Sequence, residues 1–158
     1  MALTIWIMGQ VGVAPTPEDI REYNIQFQER GHHGFVDFGS TRGDLAKRIT
    51  IGLGYEYYID RRFHGVSFEV LGQMLGPKLF KGPRDWWLGG GIAYWPIRPL
   101  KIFAAAGPFW TQGERLLRGR LGVGYRFLFF MVGIMPFVYV ETTNNGLFTW
   151  SIGVRIQY

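Results

Sequence analysis

The stretch RGHHGFVDFGSTRGD, residues 30–44, gathers the side chains of this sequence that could carry out acyl transfer. In that chemistry a histidine serves as the base and a carboxylate orients it. His33, Asp37 and Ser40 are therefore the candidate catalytic residues. His32 lies next to His33, but adjacent strand residues point to opposite faces, so the two histidines are poorly placed to share a metal ion. We predict no metal site and no cofactor.

The elements that position these residues are strands, and the clearest is RITIGLGYEYYID, residues 48–60. Every second residue from Ile49 to Ile59 is apolar, whereas the residues between them are small or polar and include one charge, Glu56. This period of two is typical of a strand with one apolar face. The same alternation recurs to Tyr158, which predicts seven strands of about 9 to 12 residues after residue 46, the length that a tilted strand needs to cross a bilayer.

The polar rows of these strands carry too few charges to solvate the outside of a soluble barrel. They combine glycine with occasional ions, which suits a narrow interior where the ions pair. The apolar rows are therefore predicted to face lipid, and the sheet must close because an unpaired edge is not tolerated in hydrocarbon. The predicted interior ion network consists of Glu56, Glu69, Lys101, Arg118, Arg120 and Arg155.

Composition narrows the classes of protein. The 158 residues suit one domain, and the absence of cysteine excludes disulfides and thiolate metal sites. The net charge of +5 is scattered rather than clustered, so no nucleic-acid partner is expected. The longest uncharged apolar run, residues 127–140, is too short for a membrane-spanning helix and contains Pro136. No basic residue precedes Arg21, so we expect a mature form without its native signal peptide, with Met1 as an expression start.

The connections between strands form a second alternation. DRRFHG, PIRP and the turn near Phe127–Phe130 are short, whereas LGPKLFKGPRD, TQGER and ETTNNG are longer or richer in polar residues and glycine. Short turns on one side and longer loops on the other are typical of bacterial outer-membrane barrels. Lys78, Lys81 and Arg84 in a predicted outer loop are candidates for contact with lipopolysaccharide. The aromatics expected at the membrane interfaces are Tyr57, Tyr58, Trp86, Trp87, Trp95 and Trp110.

An even strand count requires an eighth strand from residues 1–46. Leu3–Val13 alternates cleanly but would leave a long loop before Arg48, whereas Tyr23–Gly39 leaves only the short loop STRGDLAK. We favour Tyr23–Gly39 because it keeps the loop lengths regular. Residues 1–22 would then be an N-terminal extension, or an extra strand, of a single domain spanning residues 1–158.

The ending WSIGVRIQY and the strands GLGYEY and RLGVGYRF resemble those of small eight-stranded bacterial outer-membrane β-barrel proteins. The resemblance covers roughly residues 34–158. It implies an all-β, eight-stranded antiparallel transmembrane barrel in the outer membrane, inserted by the barrel-assembly machinery. Outer-membrane lipids and lipopolysaccharide would be its surroundings, and we expect a monomer.

The last hairpin is also somewhat similar to that of the lipid A palmitoyltransferase, another small barrel with an N-terminal segment. Where that family carries an Asp-Ser pair, however, this chain has Gln73 and Met74. The His-x-Ser of lipid A deacylases has no counterpart, since no histidine follows His64. We therefore expect a structural or surface-binding protein with a filled polar lumen. An enzyme that modifies lipid A is the alternative, and a narrow pore is the third possibility.

Overall fold

The computed structural model describes residues 16–29, 31–45, 47–59, 65–77, 82–129 and 132–158. Within these ranges the chain forms one helix followed by antiparallel strands. The elements are α1 Pro17–Glu29, β1 His32–Gly43, β2 Arg48–Tyr58, β3 Gly65–Gly76, β4 Asp85–Ile97, β5 Leu100–Thr111, β6 Glu114–Tyr125, β7 Phe127–Phe129, β8 Val132–Thr143 and β9 Phe148–Gln157.

The strands form a closed barrel. Each of β1 to β6 pairs with its neighbour in the chain, β9 pairs with both β1 and β8, and β8 pairs with β6, which completes the ring. The short β7 extends β6 past Arg126, because Gly124 lies opposite Phe137 and Phe127 opposite Ile134 in one continuous register. The structure is therefore an eight-stranded antiparallel β-barrel, as predicted.

The eighth strand is β1, which overlaps the favoured candidate but begins and ends later in the chain. It begins at His32 and ends at Gly43, whereas Tyr23–Gly39 was predicted. In the sequence, the period of two is interrupted at residues 29–33, next to the point where β1 begins. The competing segment, Leu3–Val13, lies outside the described residues.

Helix α1 was not predicted, although its N-terminus has a recognisable capping motif. The Thr16 hydroxyl accepts a hydrogen bond from the Asp19 amide at 3.2 Å, and the Asp19 carboxylate accepts one from the Thr16 amide at 2.8 Å. Pro17 occupies the first helical position, where its missing N–H costs nothing. Among the described residues no helix has the length and apolar character needed to cross a membrane.

The barrel is apolar outside and polar inside, as the alternation predicted. In β2, Leu53, Tyr55 and Tyr57 are exposed, whereas Glu56 and Tyr58 are buried. The same pattern holds in the other long strands, including β8, although the sequence of β8 is apolar on both faces before Glu141. Three of the aromatics expected at the membrane interfaces face inward instead, namely Tyr58, Trp87 and Trp95.

Glycines allow large rings to fill the narrow interior. A Cβ atom added to Gly54 would lie 2.2 Å from Cζ of Phe35, and one added to Gly122 would lie 2.7 Å from Cζ of Phe103. Only glycine leaves room for these rings against the wall of the barrel. The interior aromatics are thus accommodated by glycines on neighbouring strands.

The two ends of the barrel differ. One end of the barrel, here called the turn end, holds helix α1, the C-terminal Tyr158 and the strand ends that are joined through residues 59–64, 98–99 and 130–131. The other end, the loop end, holds the strand ends that are joined through residues 44–47, 77–84, 112–113 and 144–147. The predicted difference in length is incomplete, because TQGER folds as a two-residue hairpin turn in which Gln112 and Gly113 have φ of 48° and 85°. Conversely, the connection predicted as tight joins strands that are separated by six residues in the sequence, since β2 ends at Tyr58 and β3 begins at Gly65.

Candidate functional site in the barrel interior

The centre of the lumen holds a chain of alternating charges contributed by five strands. Lys101 Nζ lies 2.9 Å from Glu56 Oε1 and 2.7 Å from Glu69 Oε2. Arg155 Nη1 lies 2.8 Å from the same Glu69 oxygen, and its Nε and Nη2 donate to the two oxygens of Asp37 at 2.7 and 2.9 Å. All five side chains are buried, so each charge depends on its partner rather than on water.

Neutral groups complete the hydrogen bonding of Glu56. The Ser67 hydroxyl donates to Glu56 Oε1 at 2.5 Å, and Gln157 Nε2 donates to Oε2 at 2.8 Å. Trp95 Nε1 donates to Ser67 Oγ at 3.1 Å, which extends the network towards the turn end. The carboxylate of Glu56 is therefore held on both oxygens.

A second ion-paired group lies nearer the loop end. Glu141 forms ion pairs with both Arg118 and Arg120, and the Arg120–Glu141 distance is 2.9 Å. Arg120 Nη2 also donates to Gln73 Oε1 at 2.5 Å. The Thr149 hydroxyl donates to Glu141 at 3.2 Å. Two cations thus share one carboxylate in this group.

Arg48 and Asp85 form a third pair at the loop end. Asp85 is buried, although it is the first residue of β4. With Asp37 and Asp85 included, the described residues contain five buried carboxylates, and the buried Lys and Arg side chains also number five. Arg48, the partner of Asp85, adds a sixth cation, so the interior carries a small excess of positive charge.

Aromatic rings fill the space between the ions. The Arg155 guanidinium lies 3.6 Å from the Phe35 ring centroid, and that of Arg120 lies 4.1 Å from Trp87 and 3.9 Å from Tyr139. Stacking on a ring face adds a cation–π attraction that is strongest where water is excluded. The lumen is consequently occupied by packed side chains.

The structure does not bring His33, Asp37 and Ser40 together. His33 is buried and packs edge-on against Tyr58, with ring centroids 5.4 Å apart. Asp37 faces the same interior but is four residues further along β1, about 13 Å at the usual rise of a strand. Ser40 has the opposite strand parity and lies on the outer face. No acyl-transfer geometry results from these three residues.

Of the candidate lipopolysaccharide contacts, Lys78 and Lys81 lie outside the described residues. Arg84 is exposed at the loop end, directly before β4. Within the described ranges, no cluster of three or more His, Asp or Glu side chains could hold a metal ion.

All six residues of the predicted ion network lie in the interior, and each takes part in an ion pair. The predicted ion network did not include Asp37, which was predicted as a catalytic candidate, or Asp85, although both form ion pairs in the interior. Both have the parity of the inward row of their own strands, β1 and β4, so the alternation extended to the true strand ends would have placed them inside.

Comparison with known proteins identifies relatives by fold alone. No family model matches the chain, and no curated protein matches it in sequence. Among solved structures it resembles a designed transmembrane β-barrel, with 18% identity, a TM-score of 0.52 and coverage of 80% of this chain and 94% of that one.

Two bacterial proteins of known structure also resemble this chain in fold. Neisserial surface protein A has 14% identity and a TM-score of 0.51, over 81% of this chain and 96% of its own. Ail, the attachment invasion locus protein of Yersinia pestis, has 9% identity and a TM-score of 0.50, over 82% and 99%. Together with the apolar exterior and the charged interior, these similarities identify the fold as an eight-stranded transmembrane β-barrel.

Proposed function

We propose that this chain is a bacterial outer-membrane barrel with a structural or surface-binding role and a filled polar lumen. The observation that carries the proposal is the packed interior. An eight-stranded barrel has an interior just wide enough for its own side chains, and here these include five ion-paired carboxylates. A barrel with a filled lumen contacts partners through its outer wall and its connections, and it does not provide a water-filled channel.

An outer-membrane location is supported by the orientation of the side chains and by the fold of the two bacterial relatives. In the proposed orientation the turn end faces the periplasm and the loop end, which has the longest connection between strands, residues 77–84, faces outward. The exposed Arg84 then lies at the level of the outer-leaflet headgroups. Insertion by the barrel-assembly machinery as a monomer belongs to this proposal.

The alternative, an enzyme acting on lipid A, gains no support from the placement of its candidate residues. Ser40 faces away from His33, and Asp37 is bound on both oxygens by Arg155. A nucleophile needs a base within hydrogen-bond reach, which this arrangement does not provide. The narrow pore is disfavoured by the same packed interior that supports the main proposal.

The test is expression of the chain fused to a signal peptide of a Gram-negative host, followed by membrane fractionation and mass spectrometry of lipid A. The proposal predicts that the folded protein is recovered in the outer-membrane fraction and that lipid A retains its acyl pattern. A changed acyl pattern would favour the enzyme, and it should then be abolished by His33→Ala if the proposed residues were responsible. Recovery of folded protein outside the membrane fractions would refute the location.

A further inference from the structure

The outer face of the loop end carries two cross-strand pairs of arginine and tryptophan. Arg42 of β1 lies directly opposite Trp150 of β9, and its guanidinium lies 6.0 Å from the centroid of the indole ring. Arg115 of β6 lies directly opposite Trp110 of β5, at 5.8 Å from that ring. All four residues belong to the outward rows of their strands. The same arrangement thus occurs at two separate places on the rim.

The second pair belongs to a longer row. Trp86 of β4 lies directly opposite Trp110, so two indoles and one guanidinium follow each other across three neighbouring strands. The exposed fractions of Trp86 and Trp110 are 53% and 38%, so both indoles remain accessible on the outer wall. Indoles prefer the boundary between acyl chains and headgroups, which places Arg115 at headgroup level.

The charge around these arginines leaves them able to accept an anion. Neither Arg42 nor Arg115 forms an ion pair with a carboxylate of the described residues. Two exposed carboxylates are close in the chain. Asp44 accepts a hydrogen bond from the Phe148 amide at 2.7 Å, and Glu114 directly precedes Arg115. The exposed cations of the described loop-end residues, Arg42, Lys47, Arg84 and Arg115, outnumber these two acids.

We propose that each arginine–tryptophan pair binds one phosphate of lipid A on the outer wall of the barrel. The guanidinium would donate two parallel hydrogen bonds to the phosphate, while the indole beneath it contacts the first part of the acyl chains. Cation–π contact with the ring restricts the arginine before the lipid arrives, which lowers the entropy lost on binding. This inference rests on the proposed outer-membrane location, because it requires the loop end to face lipid A.

The test uses the full chain folded in phosphatidylcholine nanodiscs that contain a small fraction of purified lipid A. Native mass spectrometry after release counts the lipid A molecules that stay bound. We expect up to two bound molecules, and we expect Arg42→Gln and Arg115→Gln each to weaken one site about tenfold, the loss of one charge-assisted contact. Lys47→Gln is the matched control, since it removes one exposed positive charge at the same end without a tryptophan partner.

The conservative variants Arg42→Lys and Arg115→Lys separate planar recognition from charge. They keep the positive charge but lose the planar guanidinium that can donate two parallel hydrogen bonds. Retention of lipid A should therefore fall between that of the unchanged protein and that of the glutamine variants. Retention that falls equally in Lys47→Gln would overturn the proposal in favour of diffuse attraction. Equal retention of phosphatidylglycerol would show that any anionic lipid is bound, and would overturn the assignment to lipid A.

Failure here is distinguishable from failure of the proposed function. If the barrel folds and fractionates with the outer membrane, but both glutamine variants retain as much lipid A as the unchanged protein, only the two sites are refuted. A barrel found elsewhere in the cell refutes the proposed function, whatever it binds in nanodiscs.

Discussion

Removing the carboxylate of Glu141 should destabilise the barrel more than removing either arginine that it holds. Glu141 is buried and neutralises both Arg118 and Arg120. Glu141→Gln preserves the shape of the side chain but leaves two buried guanidinium groups without a carboxylate. Arg118→Met removes one of the two cations and leaves a matched pair, since Arg120 remains 2.9 Å from Glu141.

The magnitudes follow from this count of charges. Breaking a buried ion pair from one side costs about 3 to 5 kcal/mol, because the remaining charge is uncompensated. We therefore expect Glu141→Gln to lower the free energy of unfolding by about that amount. Arg118→Met loses a hydrogen bond to Thr149 and part of the contact with the Phe109 ring, for which about 1 kcal/mol is expected.

The assay is urea unfolding in lipid vesicles, followed by tryptophan fluorescence, with both variants measured beside Glu114→Gln. Glu114 is exposed in the tight turn between β5 and β6, so its substitution should change stability by less than about 0.5 kcal/mol. The reasoning would be refuted if Arg118→Met cost as much as Glu141→Gln. It would also be refuted if Glu141→Gln cost no more than Glu114→Gln.

Three further predictions concern the outer wall, the packing of the interior and the helix. Ile152→Arg places a charge on the lipid face near the middle of β9 and should cost about 2 to 4 kcal/mol in vesicle unfolding. Gly54→Ala forces a methyl group against the Phe35 ring and should lower the stability by about 1 to 3 kcal/mol in the same assay. Thr16→Ala should fray the start of α1, seen as faster amide exchange there, while the unfolding midpoint of the barrel is unchanged. Hydrogen bonds from Thr16 lower the pKa of Asp19, so this cap should persist above the ordinary pKa of an aspartate and be lost as the pH falls through the lowered value.

Matched controls make these predictions specific. Ile152→Val keeps the outer face apolar and should cost little, so equal effects of the two substitutions would contradict the lipid-facing assignment. A Cβ atom at Gly31 meets no atom within 4 Å, so Gly31→Ala should leave the interior packing unchanged. Loss of barrel stability in Thr16→Ala would contradict the view that α1 is held locally by its cap.

The period of two was sufficient to predict the barrel, because each long strand has one face in lipid and one in the lumen. Because side chains alternate between the two faces along a whole strand, the neighbours of Glu56 or Arg155 show that its side chain lies in the lumen. The bounds of β1 were less accessible. The residues just before β1 fit neither the period of a strand nor that of a helix. The sequence signal for helix α1 was the capping motif at Thr16.

The partners of the interior ions could not be predicted in the same way. Parity gives the face of a residue but not its height in the barrel, which depends on the register between strands. Asp37 meets Arg155 because β1 pairs with β9 in the register that places these two residues directly opposite each other. That pairing joins the two ends of the barrel sequence, and no local pattern specifies it.

Conductance across a planar bilayer tests the filled lumen most directly. With the unchanged protein inserted, the packed and ion-paired interior predicts a baseline without steady open-channel steps across the physiological voltage range. The same recording with Glu141→Gln should show more frequent brief openings, since two unneutralised arginines loosen the packing and attract water. Stable stepwise conductance of the unchanged protein would contradict the account, because it would require a continuous water-filled path past Lys101, Arg120 and Arg155.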